Sequence, residues 1–208
     1  MAATGPPSRQ RLARRAVHGV LLLDKAAGMS SNAAVQHAKR LFRAEKVGHT
    51  GTLDPLASGL LPLCFGATTK FAQASLDADK RYLATLRLGV TTTTGDREGD
   101  VVRTEPHVAI DRDALEQACQ RFVGTIEQIP PMHSALKRDG KPLYEYARAG
   151  IELERAPRRV RIDSIRVVEG DGDLWTIDVA CSKGTYIRTL GEDIGAALGC
   201  GAHLAALR

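Results

Sequence analysis

The 208-residue sequence contains no run approaching the roughly 18 apolar residues that a bilayer-crossing helix needs. The apolar stretch nearest its start, Val17 to Leu23, is short, lacks a small-residue cleavage site and leads directly into Asp24-Lys25. That pattern is unlike a secretory leader. Cysteine is scarce: Cys64, Cys119, Cys181 and Cys200 are scattered, with no C-x-x-C pair. This speaks against a disulfide framework and reads as reduced, buried thiols in a cytosolic protein. There is no internal repeat and no linker long enough to divide the chain. What remains is an ordinary globular composition, 43% hydrophobic and 25% charged. The length suits one large domain, or a domain with an appendage.

The net charge of +5 is unevenly spread. Nine Lys or Arg against Asp24 and Glu45 leave residues 1–48 at +7, so the rest of the chain carries about −2. A basic arm on a near-neutral body suits a polyanion, through phosphate contacts that release counterions. The plainer alternative is a solubilising tail. Residues 1–16, with Pro6-Pro7 and four Arg, read as disordered when free.

The chain is organised around Gly48-His49-Thr50-Gly51-Thr52-Leu53-Asp54-Pro55-Leu56-Ala57-Ser58-Gly59, set between two apolar segments. Glycines at this density permit backbone angles and close approaches that other residues cannot make. Pro55 fixes its own φ and disfavours the α region for Asp54. The carboxylate is therefore held on a stiff, non-helical turn between two expected strands. Three simpler readings compete. Asp-Pro is often only a turn. The spacing is not that of a G-x-x-x-x-G-K-[ST] phosphate loop. No second carboxylate or His follows at metal-ligand spacing.

Elsewhere the pattern predicts a strand over Val17–Leu23, then a helix capped by Ser30 or Ser31 with Ala34, Val35, Ala38, Leu41 and Phe42 as its stripe. Leu60 to Phe65 is strand-like, and Thr68 or Thr69 is expected to cap a helix running to about Leu76. In the strand over 81–89, Tyr82 leads the more apolar face with Ala84, Leu86 and Leu88. Gly95 to Val102 is an acidic loop, and Asp111 to Gly124 a helix with Gly124 as its stop. Asp139-Gly140, flanked by Lys137, Arg138 and Lys141, predicts a basic hairpin tip suited to a phosphate backbone. Strands over 160–168 and 174–181 flank a Gly-Asp turn, and Ile187, Leu190, Ile194 and Leu198 form a helical stripe ending at Gly199.

The central stretch, continued through Leu60-Leu61-Pro62 and Gly66-Ala67-Thr68-Thr69-Lys70, closely resembles the signature of the TruB family, the bacterial tRNA pseudouridine-55 synthases. Gly19 to Lys25, Gly28 to Asn32, Asp79-Lys80-Arg81-Tyr82, Gly184-Thr185-Tyr186-Ile187-Arg188 and Gly199 to Leu204 resemble further motifs of that family. One departure is Ala26, where the family has Pro after the Lys. The resemblance implies an α/β (α+β) pseudouridine synthase catalytic fold over 17–208, with a mixed, mainly antiparallel sheet flanked by helices. It implies an RNA-gripping insertion at about 126–153. The family continues beyond the position of Arg208 into a further segment and a PUA-type RNA-binding domain, so a C-terminally truncated catalytic domain is expected.

By the same resemblance Asp54 is the catalytic carboxylate, Arg188 pairs with it, and Tyr82 packs on the target base. Tyr186 lines the pocket, and His49 fills the place left by the flipped base. Lys25 supports the loop or contacts RNA, and Lys70 and Leu207 are further substrate-binding positions. The expected partner is the T-arm stem-loop of tRNA, bound by a cytoplasmic monomer with no cofactor, metal, membrane or obligatory protein partner. An RNA-binding module without chemistry would share the basic arm and hairpin but would not need Asp54, Tyr82 and Arg188 together. A metal-dependent nucleotide enzyme would need a carboxylate cluster that the sequence does not offer.

Overall fold

A computed structural model describes residues 13–208. The expected basic arm therefore falls mostly outside the described residues. Within its last residues, Arg15 bridges to Ala44, donating from its N–H to Arg43 O and accepting from Glu45 N–H.

The first layer is a three-stranded sheet with one helix against it. It comprises β1 (Gly19–Lys25), α1 (Ser31–Leu41), β2 (Val47–His49) and β3 (Gly59–Phe65), with strand order β1-β3-β2. Ser30 caps α1 as expected, its Oγ accepting from Ala33 N–H at 3.1 Å. Ala34, Val35 and Ala38 face inward and pack with Leu61, Leu63 and Phe65, against partly buried Leu21 and Leu23. The strand period of two puts Val20 and Leu22 on the opposite, exposed face.

After β3 the chain does not wait for Thr68 or Thr69 to start a helix. A 3-10 turn (Gly66–Phe71) begins at once and passes into the short α2 (Ala72–Asp77). Gly66 has φ +57°, and a Cβ there would lie 2.5 Å from Val17 O. The Thr68 and Thr69 hydroxyls donate back to Phe65 O and Gly66 O, so they compete with the backbone ladder and do not cap it.

The second layer is larger. It adds β4 (Lys80–Leu88), the hairpin β5 (Val90–Thr92) and β6 (Val101–Thr104), α3 (Arg112–Gln120), and β7 (Gly124–Gln128). The insertion follows, with β8 (Lys137–Arg138), β9 (Lys141–Pro142) and α4 (Leu143–Arg148). Then come β10 (Arg158–Asp171), β11 (Leu174–Cys181), α5 (Ile187–Ala197) and β12 (Ala202–Leu207). Five strands form one antiparallel sheet in the order β12-β4-β11-β10-β7. Ala84, Leu86 and Leu88 on the even face of β4 pack with Ile177, Val179, Leu190 and Ile194 in its core. α5 lies so close that a Cβ on Gly195 would come 2.3 Å from Ala202 N.

The α+β class stands, with two refinements. The strands divide into two principal sheets where the resemblance implied one. All strand ladders among the described residues are antiparallel, and the parallel pairings there are the single bridges Arg15–Ala44 and Asp96–Leu204. Gly124 opens β7 at φ +108° and does not stop α3, which already ends at Gln120. The expected hairpin tip is present: Asp139 and Gly140 take φ +50° and +81°, as a type I′ turn requires.

Candidate active site

The loop from Thr50 to Ser58 crosses between the two layers. Leu53 packs against both hydrophobic cores. The Ser31 hydroxyl accepts from Leu53 N–H at 2.9 Å and donates to Leu53 O at 3.0 Å. Pro55 O accepts from Gly28 N–H, Asp54 O accepts from Ala57 N–H, and Ser58 N–H donates to Leu207 O. Asp54 is thus fixed by backbone contacts on both sides, as the stiff Asp-Pro turn suggested.

Lys25 supplies a further tie. Its ammonium is buried and donates to Ala26 O at 3.0 Å, Met29 O at 2.7 Å and Ala57 O at 2.5 Å. Three carbonyls use all three of its N–H groups. Burial also lowers its pKa, opposed by the negative charge of Asp54.

Arg188 is the second residue of α5 and is 4% exposed. Its Nε lies 3.0 Å from Asp54 Oδ2 and 3.6 Å from Asp96 Oδ2. Nη1 donates to Thr94 O at 3.1 Å and Nη2 to His133 O at 2.6 Å. A planar guanidinium with five fixed donors can serve such a ring of acceptors; an ammonium cannot. The side chain of Asp54 remains 35% exposed, facing the cavity. Burial raises its pKa above the ordinary 3.8, Arg188 opposes the rise, and Asp96 adds to it. The cation therefore offsets part of the desolvation without reversing it.

Asp96 is a component that sequence reasoning missed. It is 4% exposed, and its Oδ1 accepts from Thr94 Oγ1 at 2.6 Å and Glu98 N–H at 3.0 Å. An acid in a Gly-containing loop reads as solvated, and only the flanking threonines hinted otherwise.

A cavity of about 630 Å³ opens over this pair, lined by Asp54, Tyr82, Ser134, Tyr186, Arg188 and Leu207 among others. Burial pushes the Tyr82 phenol up to about 12, with Cys181, once ionised at high pH, and the Asp54 carboxylate adding to the rise. Burial also raises the Tyr186 phenol. The side chain of Gln128 holds both backbone groups of Tyr186, accepting from its N–H at 3.0 Å and donating to its C=O at 3.3 Å. Lys80, Arg81, Lys183 and Arg208 also line the cavity, the last three paired with Asp178, Asp77 and Asp24.

Five of the eight expected residues, Asp54, Tyr82, Tyr186, Arg188 and Leu207, therefore share one cavity. His49 stands at the end of β2, outside the lining, its Nδ1 accepting from Gly51 N–H at 3.4 Å; burial lowers its pKa. Lys70 is exposed on the 3-10 turn, also outside the lining. No cluster of three or more His, Cys, Asp or Glu suited to a metal ion occurs among the described residues. None of their helices is long and apolar enough to cross a membrane.

Residues 39–187 match the family described as TruB family pseudouridylate synthase (N terminal domain). The chain belongs to the TruB family. The matched span takes in Asp54 and Tyr82 and ends one residue before Arg188. Among TruB relatives, tRNA pseudouridine synthase B of Cupriavidus metallidurans is 65% identical over 208 residues, covering 99% of this chain and 65% of that protein. The protein of the same name from an Azoarcus species is 62% identical, covering 96% of this chain and 66% of its own length. The chain thus spans just under two thirds of these relatives. A chain in the crystal structure of a Cbf5–Nop10–Gar1 complex superposes with a TM-score of 0.71 at 35% identity, covering 92% of this chain and 47% of the matched one.

Proposed function

We propose that this chain isomerises a uridine in the T loop of tRNA, at position 55, to pseudouridine. The observation that carries the reading is the Asp54–Arg188 pair, 3.0 Å apart at the floor of a cavity lined by two tyrosines. The names of the relatives support the coarser reading, pseudouridine formation in tRNA.

Pseudouridine formation breaks the N1–C1′ bond, turns the uracil and rejoins it through C5. The electrons of the broken bond leave with N1; later C5 loses a proton and N1 gains one, so the net change is an isomerisation. No redox or cofactor step is required. Asp54 acts at the ribose, as nucleophile at C1′ or base at C2′, and both roles need the ionised carboxylate. Arg188 favours that form and aims it. Tyr82 stacks on the flipped uracil, and its phenol, with a pKa near 12, stays protonated at neutral pH.

A base stacked in a folded loop must be extruded first, at a cost of a few kcal/mol. His49, beside the cavity, is suited to fill the vacated stack. Lys70 and the cations lining the cavity would hold the phosphates. Residues 17–208 act as the catalytic domain, residues 126–153 as the RNA-gripping insertion and residues 1–16 as a basic arm. No protein partner is needed for the chemistry, and the enzyme acts as a cytoplasmic monomer.

The test is tritium release from a T-arm stem-loop carrying 5-tritiated uridine, with EDTA present. The parent releases tritium, and Asp54→Asn binds the RNA but releases none. Equal release by both would remove Asp54 from the mechanism. RNA binding without release by the parent would favour a module without chemistry.

A further inference from the structure

Ion pairs are unevenly placed among the described residues. In the larger layer Arg81, Arg87, Arg112, Arg161, Arg166 and Lys183 each hold a carboxylate. At the smaller layer Arg14, Arg15, Lys39, Arg40, Arg43 and Lys46 make no ion pair and no side-chain hydrogen bond among the described residues. Lys39 is half-buried and the other five are exposed. The sequence holds few acids that could meet them. Residues 1–23 contain no Asp or Glu, Asp24 is taken by Arg208, and Glu45 is the only acid between Asp24 and Asp54.

The backbone gathers these cations at one place. α1 ends in a Schellman turn, with Ala44 N–H donating to Lys39 O at 2.9 Å and Arg43 N–H to Arg40 O at 3.1 Å. The arm lies along that turn: Arg15 N–H donates to Arg43 O at 2.7 Å, and Glu45 N–H to Arg15 O at 3.1 Å. Lys39 and Arg40 suit the negative end of the helix dipole, which accounts for two of the six. Arg43 stands just past the helix at φ +52°, the left-handed position where glycine is the usual residue. A side chain there costs stability, and the neighbouring cations repel it. The fold itself gains nothing from an arginine at this point, and a strained residue kept in place points to a use outside the fold.

Lys46 leads into β2, beyond whose far end Thr50 lines the cavity. Four steps of extended chain place the two roughly 13 Å apart. Arg81, Lys183 and Arg208 in the cavity wall are already matched by carboxylates. A polyanion seated at the cavity therefore finds an uncompensated group of charges one strand away. We propose that Arg14, Arg15 and the turn from Lys39 to Lys46 form a second RNA contact, a cationic ridge that holds the phosphodiester backbone of the substrate outside the nucleotide in the cavity. This rests on tRNA being the substrate, and adds where part of its backbone runs. The end of the arm is then the edge of a fixed surface. Phosphate contacts of this kind supply affinity and orientation and read no bases, so the chemistry stays with the cavity.

The experiment uses the 208-residue chain with an unmodified tRNA transcript and with the T-arm stem-loop. Arg40→Gln/Arg43→Gln removes two ridge charges, and Arg103→Gln/Arg121→Gln removes two from the larger layer as a matched control. Binding is followed across a salt series. Each lost phosphate contact should flatten the slope of log affinity against log salt by about 1. The ridge variant should therefore lose about 2 in slope and bind tRNA on the order of tenfold more weakly near about 0.1 M salt, while the control keeps the parent slope. An unchanged slope, or an equal loss in both variants, overturns the ridge. A loss with tRNA alone places the contact beyond the T arm and a loss with both RNAs places it on the T arm; either supports the ridge. Arg43→Gly separates recognition from folding. It should raise the melting temperature by about 2–4 °C, because glycine relaxes the left-handed turn, and still flatten the salt slope by about 1. A stabilised variant with the parent slope would overturn the role of Arg43. Where the parent releases tritium, the ridge variant raises KM on the order of tenfold with kcat changed less than about twofold; a fall in kcat alone overturns the proposal. Anionic phospholipid vesicles bound more tightly than tRNA, and lost in the ridge variant, would give the surface to a membrane and overturn the RNA contact. A parent that binds tRNA but releases no tritium counts against the proposed function, while the salt series still decides the ridge.

Discussion

Arg188→Met is the perturbation that bears most directly on the site. It nearly preserves length and apolar stem but removes a guanidinium whose side chain is 5% exposed. Four acceptors lose a donor: the carboxylates of Asp54 and Asp96 and the carbonyls of Thr94 and His133. They will not all cost the full amount. Asp54 is 35% exposed and can recruit water, and Asp96 keeps Thr94 Oγ1 and Glu98 N–H. Breaking a buried ion pair from one side costs about 3–5 kcal/mol, and the lower end is expected here.

The loss should depend on pH, with a definite sign. Burial already holds Asp54 above its ordinary 3.8, with Arg188 opposing, and removing the cation drives it higher. A carboxyl whose folded pKa exceeds its unfolded value costs stability above the unfolded value. That cost is relieved as pH falls through the folded pKa toward 3.8. Urea unfolding followed by circular dichroism should therefore show a larger deficit near about pH 8 than near about pH 5. Arg188→Lys restores the charge beside Asp54 but cannot span both carbonyls, so it recovers only part of the deficit. Tritium release should fall at least about a hundredfold in Arg188→Met. A deficit below about 1 kcal/mol, or one equal at both pH values, would refute the reasoning.

Three other measurements probe the surroundings. Lys25→Met strands three carbonyls around the Asp54 loop and should cost about 2–4 kcal/mol in denaturant titration; a neutral result would mean that the ammonium does not hold the loop. Asp178 is held down at about 2 by Arg81, with Arg166 acting in the same direction against burial. Asp178→Asn should lose about 1 kcal/mol at neutral pH, after allowing for the exposure of both arginines. That deficit should fade as pH drops from 3.8 through about 2, the depressed-carboxylate sign. Ultraviolet titration should find a phenol ionising at about 12 that Tyr82→Phe removes. Loss of a phenol near 10 instead would contradict the apolar setting of Tyr82.

The sequence made legible whatever a short stretch decides. Ser30 caps α1 because a hydroxyl three residues from an N–H needs no distant partner. Tyr82 faces the core side of β4 because alternation carries it there. Asp139-Gly140 turns a hairpin because both residues accept positive φ. What stayed hidden depends on chain-distant partners or on backbone atoms. A lone Lys25 reads as solvated, and its burial comes from Ala57 O, thirty-two residues away. Asp96, Gln128 and the His133 carbonyl meet Arg188 and Tyr186 only after the sheet has formed. A carbonyl has no side-chain signature at all. Thr68 and Thr69 misled because their hydroxyls found carbonyls where an N-terminal cap was expected.

The site also draws its halves from different layers, which constrains how it can be held together. Asp54 follows Leu53, shared between the two cores, whereas Tyr82 and Arg188 belong to β4 and α5 of the larger one. The visible tie across the seam is the two-pronged contact of Arg208 with Asp24, at 3.0 and 2.8 Å. Both side chains are more than half exposed, so solvent screens the pair and it contributes little. The quieter ties are better placed: Ser58 N–H on Leu207 O joins the loop to β12, Lys25 on Ala57 O holds the loop to β1, and the mutual Leu83–Arg208 backbone pair holds the chain after β12 to β4. These are backbone-directed, so they fix where the loop stands relative to β12 and β4 with little freedom. The 3.0 Å between Asp54 and Arg188 is thus set chiefly by strand register and a buried lysine, and the surface ion pair rides on that arrangement.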